Sequence, residues 1–233
     1  MKKYKIADIV VSMEPDTRTE KQAKKYEYLG DESPVFHVQP KTFEEFKKRK
    51  DLDMTYEDFL YLSCGQSFHL QLFDYNGMYI HASSIVVNDN AYLFSAPSGT
   101  GKSTHTNLWL KKFNDNAFIL DDDKPVVRIM DDGIFAYGTP WSGKHDISAN
   151  KKVKLQAICF LKRDKINWIR KLNYNESAFK IYENCSKKIP AESLYKYLEI
   201  INVISDNINI YEMGCTPTID AVDVAYEMMK PTY

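Results

Sequence analysis

Between the apolar run AYLF and the amphipathic run HTNLWLKKF lies the segment SAPSGTGKST, residues 95–104. A strand signal that gives way to two closely spaced glycines, a lysine and then a helical pattern leaves the backbone few options. It has to turn tightly with its N–H groups unobstructed, and then enter a helix whose first amides point back into the turn. The template G-x-x-x-x-G-K-[ST] fits from Ala96 to Ser103, with alanine in the first glycine place. That place lies where strand becomes loop and accepts a small residue; Gly99 and Gly101, nearer the helix, supply the conformational freedom. Pro97, Ser98, Gly99, Thr100, Gly101, Lys102, Ser103 and Thr104 are therefore expected to cradle the phosphates of ATP. Lys102 would act there as a point charge, and the Ser103 hydroxyl would be a ligand to Mg2+.

The rest of the chain narrows the reading. Its 233 residues are 44% hydrophobic, enough for one compact domain with a substantial core, or for a core plus a small appended lobe. The net charge of −1 offers no global field for nucleic acid or an anionic membrane, so neither is expected as a partner. No run approaches the ~18 apolar residues of a membrane span. The opening MKKYKIADIVVSMEPD reads as a strand, not a signal peptide. Cys64, Cys159, Cys185 and Cys215 are scattered without a CxxC pair, which fits reduced, mostly buried thiols and a cytoplasmic protein.

Two parts are expected: an accessory region over residues 1–66, lysine-rich and irregular, and a domain carrying the glycine loop over 67–233. Near their junction, Thr55 is placed as the N-cap of a short helix that Gly65 ends. The stretch from Ser67 to Ala96 holds apolar or alternating runs separated by DYNG and VNDN, which are hairpin turn chemistry. Beyond the loop, AFILDDDKPVVRI reads as a strand finishing in aspartates, and GIFAYGTPWSGK as another ending in a turn. KLQAICFLKR, INWIRKL and INIYEMGC read as strands; NESAFKIYENCS, AESLYKYLEIINVIS and TIDAVDVAYEMM read as helices. The class is α/β or α+β: a mixed, largely antiparallel sheet carrying the loop, with flanking helices.

A nucleotide loop at residue 96, preceded by hairpins rather than by the first strand of a parallel sheet, resembles the HPr kinase and phosphoenolpyruvate carboxykinase superfamily. His81 in YIHASSIVV lies fifteen positions before Ala96, the interval at which HPr kinases carry a functional histidine on a strand. Asp122 and Asp123 match that family's paired aspartates, with Asp121 in the preceding place. The pattern HAS…AYLFSAPSGTGKSTHTNLW…DDDKP…YGTPWSGK…CxP…AVxxAY is similar to a small bacterial branch of HPr kinase-related proteins, to which kinases of ribosomal peptides such as lasso peptides are in turn similar. The resemblance covers most of residues 67–230. It implies an ATP-dependent kinase acting on a serine hydroxyl of a small protein or peptide. The glycine- and arginine-rich loop tied to phosphorylase activity and hexamers has no counterpart here, so phosphorolysis is not expected. Nor is carboxykinase chemistry, whose further ligands have no place in this chain.

In that chemistry Asp122 is read as general base and Asp123 as metal partner or orienting group, with the reverse order left open. His81 would contact the terminal phosphate or steer the base. His105 packs, caps, or reaches the base or ribose. Gly138, Pro140 and Gly143 suggest an exposed turn in which Trp141 offers a flat surface to an acceptor and Lys144 a mobile cation. Arg163 and Arg170 are weaker phosphate-binding candidates. Two other functions stay open on the same fold: a small-metabolite kinase, and a nucleotide-binding regulator without transfer activity. The oligomeric state is also open.

Overall fold

The computed structural model describes residues 1–49, 53–185 and 189–231. In chain order its main elements are β1 (Lys2–Ile6), β2 (Ile9–Met13), α1 (Thr17–Ala23), β3 (Phe36–Val38), α2 (Phe43–Lys47), α3 (Tyr56–Gln71), β4 (Gly77–Tyr79), β5 (Ala82–Val87), β6 (Asn90–Ser95), α4 (Lys102–Phe113), β7 (Ala117–Asp121), β8 (Val126–Met130), β9 (Gly133–Tyr137), β10 (Lys152–Arg163), β11 (Trp168–Lys171), α5 (Tyr174–Asn184), α6 (Leu194–Asn207), β12 (Asn209–Cys215) and α7 (Asp220–Met229). The first three strands make a small sheet. The other nine make the main one, in the order β4-β8-β9-β10-β6-β5-β7, with β12 on β10 and β11 on β12. Within the main sheet β10 pairs in parallel with β6 and with β12, and the other pairings described are antiparallel.

Strand β5 sets the geometry of the site. All six of its residues are buried, so the ASSIVV run is an interior strand packed on both faces. It pairs antiparallel with β6 on one side and β7 on the other, in registers that place Ala82 opposite Ser95 and Ser84 opposite Asp121. Strands β6 and β7 therefore run the same way and deliver their C-terminal ends to one edge of the sheet. The turn joining β5 to β6 is the expected VNDN, with Asn88 and Asp89 both at positive φ.

Several local readings are corrected. The opening segment is a hairpin, not one strand: it reverses at Ala7 and Asp8, at φ 51° and 61°. Asp8 accepts a hydrogen bond from the Tyr137 hydroxyl, and the Ala7 carbonyl accepts one from Arg128, which ties the turn to the main sheet. Helix α3 starts at its Thr55 cap as expected but runs through Gly65 to Gln71, so SFHLQLF is helix and DYNG is no hairpin. Gly65 is tolerated there because the Trp141 indole lies against its Cα; a Cβ would stand 2.9 Å from Trp141 Cδ1. AFILDDDKPVVRI is two strands, β7 and β8, with Asp121 ending β7 and Asp122 and Asp123 in the turn between them.

One helix thus spans the expected junction at residue 66, and one hydrophobic cluster joins the two sides. Tyr4, Val11 and Tyr26 pack with Phe68, Val126, Tyr137 and Trp141. The segment from Gly138 to Ser142 is buried rather than an exposed turn. It threads so closely between strands that a Cβ at Gly138 would collide with the backbone carbonyls of Ala149 and Leu120. Backbone on both sides cannot yield as a side chain does. Gly138→Ala is therefore expected to destabilise by about 3 kcal/mol, as severe overpacking does. Gly99→Ala, whose Cβ meets nothing within 4 Å, should cost only the ~1 kcal/mol of a residue held at positive φ. Urea denaturation of the two variants measures the difference.

Candidate functional site

At the sheet edge where β6 and β7 end, the chain makes a cleft of about 580 Å³. The loop after β6, the aspartate turn after β7, His81 just ahead of β5, and the Ser142–His145 stretch all line it. His81, Lys102, Asp122, Asp123, Ser98, Gly99, Gly101, Ser103, Thr104 and Lys144 all face this one space. Pro97 is exposed on the loop and Thr100 half-buried, but they do not line the cleft.

The loop owes its shape to Gly99 at φ 77° and Gly101 at φ 119°, a region side chains disfavour. Gly101 is the N-cap of α4 and supplies no side-chain cap, so the first turn of α4 has none. Lys102 is only 8% exposed. Its ammonium donates to the Ala96 carbonyl at 3.0 Å and lies 3.2 Å from His81 Nε2. Burial lowers its pKa, against the opposing pull of Asp123 and Asp122. The same His81 nitrogen is 3.4 Å from Asp123 Oδ1. Nε2 is thus an acceptor toward Lys102 in one tautomer and a donor toward Asp123 in the other.

The three aspartates divide sharply. Asp121 is fully buried. Its Oδ1 accepts the N–H groups of Asp123 and Lys124, and its Oδ2 accepts the N–H and hydroxyl of Thr139. Burial pushes this carboxyl up to about 7 in spite of those donors. It binds the aspartate turn to the Gly138–Ser142 segment and does not face the cleft. Asp122 Oδ1 accepts the Ser83 hydroxyl at 2.7 Å, and Ser83 in turn meets the Thr106 hydroxyl at 2.8 Å. Asp123 is held by His81 and by Lys124, whose ammonium lies 2.7 Å from Oδ2. Burial alone would raise the Asp123 carboxyl, but the His81 hydrogen bond and Lys124 outweigh it and keep it well below the usual carboxylate range.

Other expectations change. Trp141 is 1% exposed and stacks on Phe68 at 5.1 Å, so it presents no flat face to the cleft; the apolar cluster under the sheet claims it. Arg163 donates to the carbonyls of Gly99 and Thr100, which makes it a brace of the loop. Arg170 pairs with Glu176 and Glu212 and is not among the cleft residues. His105 Nε2 accepts the Trp109 indole N–H at 3.0 Å, and burial lowers its pKa to about 4. His105 also borders a second cavity of about 370 Å³ on the other side of the loop, with Thr104, Arg163, Cys215 and Pro217.

Sequence reasoning missed the N-terminal contribution entirely. Arg18, Asp58 and Tyr61 line the cleft. Arg18 and Gln22 donate to the Gly143 carbonyl, and the Tyr61 hydroxyl accepts the Gly143 N–H. No local pattern in residues 1–66 announces these contacts. Ser83 had one available signal, shared with Ser84: a hydroxyl in a mostly apolar run shortly after His81.

The Asp121 anchor gives a test of this architecture. Asn there would turn an amide NH2 toward one of the two pairs of buried donors and deprive that pair of its acceptor. Asp121→Asn is expected to lose about 1–3 kcal/mol in denaturant titration, while a surface change such as Asp132→Asn stays within ~0.5 kcal/mol.

No family model matches the chain, and no curated protein matches it. Among solved structures it is similar to the HPr(Ser) kinase/phosphatase from Coxiella burnetii, with a TM-score of 0.38 and 11% identity over 66% of this chain and 93% of that one. That is a distant resemblance.

Proposed function

We propose that the protein is an ATP-dependent phosphotransferase that phosphorylates a serine hydroxyl of a small protein or peptide. One observation carries the reading. A positive-φ glycine loop at a helix start, a buried lysine, a histidine and two carboxylates in unlike environments all open on the same cleft. Phosphoryl transfer needs this set: fixed phosphates, neutralised charge and an aligned acceptor oxygen.

In this reading the loop amides, the start of α4 and Lys102 hold the phosphates, and the nucleoside lies toward the cavity bordered by His105. The Ser103 hydroxyl and the Asp123 carboxylate, hard oxygen donors on one cleft, suit Mg2+. When bound, the ion would neutralise phosphate charge. Asp123, held ionised, suits that electrostatic part better than proton transfer. Asp122 is the better base: Ser83 fixes one of its oxygens and the other is left for an acceptor hydroxyl. His81 links Lys102 to Asp123, and Lys144, exposed on the cleft, is the cation we assign to the acceptor side.

The test is mass spectrometry of serine-containing peptides and of small hydroxyl compounds incubated with the protein and Mg-ATP. Transfer to peptide serine is expected. Asp122→Asn should keep its melting temperature and lose about a hundred- to ten-thousand-fold in rate. Transfer only to small compounds would replace the acceptor, and near-normal turnover in Asp122→Asn would remove Asp122 from the role of base.

A further inference from the structure

Beside the cleft lies a chamber of about 200 Å³ between α3, β4 and the buried Gly138–Ser142 segment. Its wall is apolar. Leu70, Phe73, Tyr79 and Trp141 supply most of it. The ring nitrogens Trp141 Nε1 and His69 Nε2 have almost no accessible surface of their own, so they do not break that wall. Two residues, Leu62 and Lys124, line the chamber and the cleft alike. Leu62 stands 42% exposed where the two spaces meet. Lys124 is the partition. Its ammonium lies 2.7 Å from Asp123 Oδ2, so its stem and not its charge borders the chamber.

These features limit what the chamber takes. With its nearest cation held by Asp123, it offers nothing to an anion. Water is held poorly by a wall without polar partners. A dry apolar cavity of ~150 Å³ accepts a benzene ring, so this one has room for a leucine, methionine or phenylalanine side chain. Its position says where that side chain comes from. None of residues 96–104 lines the chamber, and the cavity given to the nucleoside lies on the other side of that loop. The chamber therefore adjoins the aspartate side of the cleft, from which an acceptor hydroxyl reaches Asp122. The carboxylates and the chamber are one lysine side chain apart, a span that about two or three residues of extended peptide cover.

We propose that the chamber is a specificity pocket for the acceptor peptide, seating one large apolar side chain about two or three residues from the serine that is phosphorylated. The proposal rests on the reading of the cleft as the site of a serine-peptide kinase, and adds a sequence requirement to it.

Peptides of alanine and glycine around one serine, with leucine moved through each position on either side, test it in steady-state transfer from Mg-ATP. Leucine at one position about two or three residues from the serine is expected to lower KM about tenfold, the gain of burying most of that side chain. Aspartate at the same position should abolish the gain. Calorimetry with the same peptides, their serine replaced by alanine, should show the same preference in binding. Gln66 borders the chamber and is not among the cleft residues. Gln66→Trp fills the mouth and is expected to bring the leucine and alanine peptides within about twofold in KM. Gln66→Phe takes its place if circular dichroism shows the first variant unfolded. Equal KM for leucine and alanine at every position, or a preference that persists in the folded variant, would overturn the pocket and leave the peptide reading standing. Transfer to no peptide at all would overturn that reading and the pocket with it.

Discussion

Strand β5 is the constraint on which the site depends. It is buried throughout and hydrogen-bonded on both sides, so it cannot slip: a one-residue shift would turn every side chain to the opposite face. Its registers with β6 and β7 fix the distance between the glycine loop and the aspartate turn. They also set His81, one residue before β5, beside both. The lysine and the carboxylates come from segments about twenty residues apart in sequence, yet one strand meters their separation. Rigid placement of this kind is what a site whose work is positioning and electrostatics requires.

Around that frame the polar groups are held by layers of partners. Asp121 spends its charge inside the fold, where four donors lock the turn that presents Asp122 and Asp123. Arg163 braces the loop carbonyls from the far side. The N-terminal region closes the cleft by gripping Gly143 through Arg18, Gln22 and Tyr61. The result separates two neighbouring carboxylates by environment: one pinned by a lysine and a histidine, the other oriented by a serine. Unequal surroundings give like groups unlike roles.

How much of this was legible in the sequence follows from how local each determinant is. The loop was readable because glycine freedom and helix entry are properties of consecutive residues. The later strands and helices were readable from periodicity, and the VNDN hairpin from its turn residues. The Ala7–Asp8 hairpin was not, because alanine at positive φ has no local signature; Arg128 and Tyr137, more than a hundred residues away, hold it. Gly65 read as a helix stop because the indole that makes it necessary lies seventy-six positions later. Trp141 read as a surface platform for the same reason: the apolar cluster that buries it draws on residues as distant in sequence as Tyr4, Tyr26 and Phe68. Arg18, Asp58 and Tyr61, all within the first 66 residues, line the cleft without any local pattern to announce it.

The central claim is that the loop from Ala96 to Ser103, with Lys102 at its heart, holds the phosphates of ATP. Its most direct test is calorimetric titration of the purified chain with Mg-ATP beside the Lys102→Ala variant. Stoichiometric binding to the natural sequence is expected, weakened by about tenfold or more in a variant that keeps its melting temperature, because the only ammonium within the loop is gone. Failure of the natural sequence to bind Mg-ATP, or unchanged affinity in a folded Lys102→Ala protein, would contradict the account.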